Sequence, residues 1–282
     1  MSRRASAWRG VLGGVALAPI LYFAPGASAV EPVDVELVLA VDVSLSMSPS
    51  ELEIQRHGYA AALTDQQVID AIAAGGYGKI AITYFEWAGS TSQRVIVPWT
   101  VIESRQDAEA VAAKLTAAPS NSARRTSISS AIDFGVDLFA ETNYRGTKRV
   151  IDISGDGPNN QGPQVDLSRD LAVAQGIVIN GLPLMTNGGL TSAYDVDDLD
   201  LYYTDCVIGG PGAFMIPVND WEQFPEAVRR KLVLELAGAN APIWVSGEAG
   251  SPQVIFAQHR LRYDCLAGEK LWRDRSWMWD SR

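Results

Sequence analysis

Cysteine and histidine are scarce in this chain, with two of each in 282 residues. Neither cysteine belongs to a Cys-x-x-Cys pair, which excludes clustered thiolate sites of the zinc-ribbon kind. A Gly-x-Ser-x-Gly elbow is missing, and neither His57 nor His259 accompanies a Ser or Cys nucleophile motif. Both histidines therefore read as structural or surface residues. Basic residues are outnumbered, 23 Lys and Arg against 33 Asp and Glu, for a net charge of −10. That balance opposes nucleic-acid binding, whose affinity rests on neutralising phosphate, and it disfavours anionic membrane surfaces. No internal repeat is visible. Past residue 29 no apolar run is long enough to span a bilayer.

What is present begins with a leader-like segment. Arg3, Arg4 and Arg9 form a basic stretch, Val11 to Ala24 an apolar one, and Ala27-Ser28-Ala29 a small-x-small cleavage pattern. The apolar run is short, contains Pro19 and is closed by Pro25, so residues 1–29 are expected to be a cleaved signal peptide and not a membrane anchor. Its removal takes away three arginines and no acids, moving the net charge to −13. The mature protein is expected to be periplasmic or secreted. In such an oxidising compartment Cys206 and Cys265 read as a disulfide in preference to two free thiols.

The rest of the chain is organised around Glu36-Leu37-Val38-Leu39-Ala40-Val41-Asp42-Val43-Ser44-Leu45-Ser46. Its apolar run predicts a strand buried on both faces, as in parallel sheets. Ser48-Pro49-Ser50-Glu51 then offers a cap, a proline for the first turn and a capping box, predicting a helix that runs to Ile72. Gly75 to Gly78 breaks it. Lys79–Trp87 and Gln93–Trp99 read as a hairpin, Arg105–Ala117 as a helix and Pro119–Arg125 as a polar loop. Thr126-Ser127 opens a helix with Ile128, Ile132, Val136 and Phe139 on its inner face. A strand, Arg149–Ser154, leads into the tight loop Gly155-Asp156-Gly157-Pro158-Asn159-Asn160. Helix Gln164–Ala174, strand Ile177–Leu184, strand Ala213–Val218 and helix Trp221–Ala237, closed by Gly238, complete the pattern.

This order predicts an α/β fold: a doubly wound, mostly parallel sheet with one antiparallel edge hairpin, in a Rossmann-like three-layer sandwich. The domain is expected over residues 30–238, followed by an irregular extension, 239–282, in which Trp272, Trp277 and Trp279 crowd together. Those tryptophans are expected to pack back on the domain. The acidic stretch holding Asp195, Asp197, Asp198 and Asp200 lacks the glycine and closing glutamate of a calcium loop and reads as solvated.

Asp42, Ser44 and Ser46 fall at alternate positions where the first strand ends, the edge at which open α/β sheets bind ligands. A carboxylate with two hydroxyls suits a hard cation such as Mg2+. Taken singly, Thr126 reads as a helix cap and Asp156 as a turn residue. Taken together, Asp42-x-Ser44-x-Ser46, Thr126 and Asp156 resemble the metal-ion-dependent adhesion site of von Willebrand factor type A domains. The resemblance covers roughly Val33 to Gly238 and departs at the third loop, Ser154-Gly155-Asp156-Gly157, where the family carries Thr-Asp-Gly. A nearer resemblance is to a group of secreted bacterial type A proteins of unknown function. It rests on Ile153 to Asn160, on Asp205-Cys206-Val207-Ile208-Gly209-Gly210-Pro211-Gly212-Ala213-Phe214, and on Arg229-Arg230-Lys231-Leu232.

The resemblance implies a site for Mg2+, or another hard divalent cation such as Mn2+ or Ca2+. Ser44, Ser46 and Thr126 would be direct ligands, and Asp42 and Asp156 would act mainly through water. It implies a non-enzymatic adhesion module whose metal is bridged to an Asp or Glu carboxylate of a protein or peptide partner. A rival reading is a metal-dependent hydrolase or phosphotransferase. An aspartyl nucleophile of the haloacid dehalogenase type wants a second Asp two positions on, where this chain has Ser44, and no general base is evident. A third reading leaves the metal structural and gives the function to the tail or to the loop near Cys206.

Overall fold

The structure is a computed structural model, and it describes residues 30–119, 121–186, 196, 198–237, 252–257 and 263–280, with side chains to 275. The expected signal peptide, Asp195, Asp197, Gly238, His259 and the side chains of Trp277 and Trp279 lie outside the described residues.

Strand β1 (Glu31–Asp42) is central. It pairs in parallel with β2 (Ile80–Trp87) on one side and with β4 (Tyr144–Gly155) on the other. Strand β3 (Gln93–Ile102) returns antiparallel to β2, the expected edge hairpin. Beyond β4 come β5 (Ile177–Pro183), the short β6 (Phe214–Met215) and β7 (Ile255–Phe256), in the order β3-β2-β1-β4-β5-β6-β7. β7 is antiparallel to β6 and comes from the tail, so the sheet has an antiparallel pair at each edge.

The period-2 alternation of β1 divides its apolar run between two cores. Leu37, Leu39 and Val41 face α1 (Pro49–Leu63), α2 (Gln66–Ala73), α3 (Arg105–Ala117) and α7 (Phe224–Leu236). Val38 and Ala40 face α4 (Ile128–Glu141), α5 (Val165–Ala174), α6 (Leu199–Tyr202) and the π-turn Tyr203–Val207. Two helical layers thus cover one sheet.

The chain winds outward from β1 to β2 and β3, then returns to the other side of β1 to lay down β4, β5 and β6. The order therefore reverses between β1 and β4. At such a reversal the loops leaving two parallel neighbours turn to opposite faces and leave a crevice at the strands' carboxyl ends. Register sets Val41 beside Ser154 there, so the residues after Asp42 and Gly155 emerge side by side.

Two elements differ from the sequence pattern. The helix expected to reach Ile72 is interrupted at Thr64-Asp65, where the Asp65 side chain accepts the Gln67 amide at 2.8 Å and starts α2. The tail contains a helix, α8 (Ala267–Asp280), and is joined to the domain by the Cys206–Cys265 disulfide, whose Cα atoms are 5.5 Å apart.

Candidate metal centre

Asp42 ends β1 with its side chain fully buried. Its Oδ1 accepts the Ser44 amide at 2.7 Å, while Oδ2 is buried with no hydrogen-bond partner among the described residues. The Ser44 and Ser46 hydroxyls lie 2.9 Å apart, and Ser46 donates to Asp156 Oδ1 at 2.9 Å. Four of the five expected residues are thus joined in one chain of contacts, with Asp42 and Ser44 buried as its floor and Ser46 exposed at its mouth. Gly155 makes the close approach of the β4 loop feasible. A Cβ there would stand 3.0 Å from the Tyr203 hydroxyl and 3.1 Å from Asp42 Oδ2.

Burial, and then the neighbouring Asp156 carboxylate, push the Asp42 carboxyl well above its ordinary range. The Ser44 amide and hydroxyl offset this in part, with a smaller contribution from the Asp156 amide, which makes no hydrogen bond of ordinary geometry to Oδ2. Two carboxylates and two hydroxyls crowded at a strand end form an all-oxygen donor set short of positive charge, which suits a hard divalent cation. Among the described residues no group of three His, Cys, Asp or Glu could hold a metal, so any ion here must lean on hydroxyls.

Thr126 stands on the adjacent loop and is placed through its backbone. Its amide donates to Asn160 Oδ1 at 3.0 Å, and its carbonyl accepts the Asn160 amide at 2.8 Å. Its hydroxyl takes no part in the chain that links the other four. Capping does not account for it either, because Ser127 caps α4 by accepting the Ser130 amide. The loop is stitched to its neighbours on both sides: Leu45 donates to the Ala123 carbonyl, Ala123 to Val43 and Ser127 to Ala88. Farther back, Glu86 pairs with Arg56 and Arg94, and both arginines bond the carbonyls at the start of this loop, Arg56 to Ala118 and Pro119 and Arg94 to Pro119. Gln55 donates to the Asp42 carbonyl at 3.1 Å, tying α1 to the same edge.

The sequence reading passed over Asn159 and Asn160, which knit the second and third loops together. A polar pair directly after Gly-Asp-Gly-Pro was the available signal. The motif around Lys231 proves to be internal: Lys231 is fully buried between Asp152 (2.7 Å) and Glu235 (2.6 Å), and Asn180 donates to Glu235 at 2.8 Å. His57 is exposed on α1 with Nδ1 2.9 Å from the Glu53 carbonyl. Asp198 and Asp200 flank the start of α6. No described helix is long and apolar enough to cross a membrane.

The fold is similar to that of proximal thread matrix protein 1 from the mussel byssus, with TM-score 0.54 and 12% identity over 73% of this chain and 49% of that one. It is similar as well to the pilus adhesin SpaC from Lactobacillus rhamnosus GG, with TM-score 0.54 and 13% identity over 74% and 31%. A von Willebrand factor type A protein from Catenulispora acidiphila aligns over 73% of this chain and 42% of that one, at 13% identity and TM-score 0.48. This chain spans less than half the length of each of these structures. At such identities the likeness concerns the fold alone, a three-layer α/β sandwich. No curated protein matches the sequence. Residues 32–240 match the family described as "Protein of unknown function (DUF1194)", and the chain belongs to that family.

Proposed function

We propose that this chain is an exported, metal-dependent binding module that grips a protein or peptide through one of the partner's Asp or Glu carboxylates. The observation that carries the reading is Asp42, a fully buried carboxylate with an unpartnered oxygen, at the end of a contact chain running through Ser44 and Ser46 to Asp156. Burying such a group without a counter-charge is costly unless something positive joins it. Ser44, Ser46 and Thr126 are the candidate direct ligands; Asp42 and Asp156 hold the surrounding hydrogen bonds and supply negative charge. A bound Mg2+, Mn2+ or Ca2+ would offer an electrophilic position that a partner's carboxylate fills. The chain's part is to keep few anions in direct contact with the ion and to leave the mouth at Ser46 open to solvent. The disulfide accords with an oxidising compartment.

The test is calorimetric titration of Mg2+ and Mn2+ into the intact protein and into Ser44→Ala, followed by capture from the exported fraction with and without chelator. Saturable heat that Ser44→Ala abolishes, with chelator-sensitive capture, is the expected result. Absence of heat from the intact protein would end the reading. Turnover of generic phosphate or ester substrates that Asp42→Asn removes would replace it with the hydrolase or phosphotransferase alternative.

A further inference from the structure

Thr126 is held at the rim by contacts on its two flanks, and both lead to the tail. On the chain side, Arg125 has φ of 77°, in the left-handed region that disfavours side chains larger than glycine. Its guanidinium carbon lies 3.3 Å from the centroid of the Trp272 ring on α8, a cation–π stack that holds the backbone in this conformation. On the other side, Thr126 pairs both its backbone groups with Asn160. The neighbour Asn159 is fully buried. Its Oδ1 accepts the Ser129 amide and hydroxyl, each at 3.1 Å, and its Nδ2 donates to Pro163 O at 3.1 Å and to Glu269 Oε1 of α8 at 2.7 Å. Gly268 presses on the same residue so closely that a Cβ there would overlap the Asn159 carbonyl.

The start of the tail helix is itself fastened. Cys265 is bonded to Cys206, and the Tyr263 amide donates to Asp205 Oδ2 at 2.7 Å. We infer that α8 is a positioning element for Thr126: through Arg125–Trp272 and Asn159–Glu269 it fixes the loop carrying the third hydroxyl against the other four candidate donors. This rests on the reading of Thr126 as a ligand given above. The consequence is that ion affinity depends on a segment well over a hundred positions away, latched by a disulfide.

The experiment titrates Mn2+ alone, by calorimetry, into the full chain and into Trp272→Ala, Gly268→Val, Thr126→Val and the Trp272→Ala/Thr126→Val double variant. Circular dichroism checks each fold. Outer groups that orient metal ligands typically change affinity by about 10–100-fold, so Trp272→Ala and Gly268→Val are each expected to weaken Mn2+ about tenfold or more, and Thr126→Val, which removes a candidate ligand itself, at least as much. The double variant should be no weaker than Thr126→Val, because Trp272 acts only through that hydroxyl. Trp272→Phe, which keeps an aromatic face for Arg125, should recover most of the loss. Wild-type affinity in both Trp272→Ala and Gly268→Val overturns the inference, as does a double variant whose losses add. If the unaltered chain takes up no Mn2+, it is the ligand reading that has failed, and the inference falls with it.

Discussion

Asp152 and Asp42 are both buried carboxylates of the parallel part of the sheet, and they differ in where positive charge comes from. Asp152 lies inside β4, opposite Leu39 of β1, where no solvent reaches. There α7 delivers Lys231, which sits between Asp152 and Glu235, while Asn180 donates to the same Glu235 oxygen, Oε1, and Oε2 has no hydrogen-bond partner among the described residues. Asp42 lies at the strand's end, and among the described residues no lysine or arginine pairs with it. The interior acid has a cation built into the fold. The acid at the rim has hydroxyls and an open mouth, the arrangement that suits a cation arriving from outside.

The largest expected effect comes from removing the internal cation. Lys231→Met leaves Asp152 and Glu235 buried without their partner and should cost about 3–5 kcal/mol of stability. Denaturant unfolding measures it, and a loss under about 1 kcal/mol would show that the ammonium is not what balances these acids. The second effect runs the other way at the rim. Asp42→Asn removes a carboxyl that burial and Asp156 make costly to ionise, so it should raise the unfolding midpoint of metal-free protein. The parent should gain about 2.7 kcal/mol from Mg2+ at a hundred times its dissociation constant, and the variant, its affinity lowered about 10–100-fold by loss of an outer group, only about 0.4–1.4 kcal/mol. Equal Mg2+ stabilisation of both proteins would erase the contrast between the two sites.

The smallest effect is a change of slope with pH. Burial first, opposed by Lys231 and reinforced by Glu235, raises the Asp152 carboxyl from 3.8 to about 7. Between those values the folded protein keeps a proton that the unfolded chain has shed, so metal-free stability falls as pH rises from about 4 to about 7. Asp152→Asn should flatten that fall. Because Asp152 titrates together with its neighbours, the change is shared among them and is read as a slope, not as a single step. Denaturation midpoints at the two ends of the range report it, and parallel pH profiles for parent and variant would contradict the assignment.

The central strand, the capping box at Ser48 and Glu51, and helix α3 were legible because each rests on local chemistry. The first half of β4 was not. Tyr144 to Lys148 is polar and contains a glycine, and it is a strand because Glu31 to Val35 pairs with it. The start of α2 carried a signal, Asp65 ahead of the helix, that the continuing apolar periodicity obscured. At the rim, Asp42, Ser44, Ser46 and Asp156 could be read from alternate spacing and from a glycine-flanked acid. The Arg125–Trp272 stack and the Asn159–Glu269 bond could not, since nothing local says which loop a tryptophan-rich tail will reach. Lys231 was equally opaque. It is the third of three consecutive basic residues, and successive positions on a helix point about 100° apart, so one of the three can turn inward while its neighbours do not.

The Lys231 junction also limits how α7 can move. A slide by one helical turn, about 5.4 Å, would carry either Ala227 or Glu235 into the place where Lys231 meets Asp152. The first exchange leaves an acid with a methyl group, and the second sets two acids face to face. Both are penalised deep inside a protein. One-turn ratchets of one element past another are among the ways that proteins switch; here the Lys231 junction disfavours such a slide of α7.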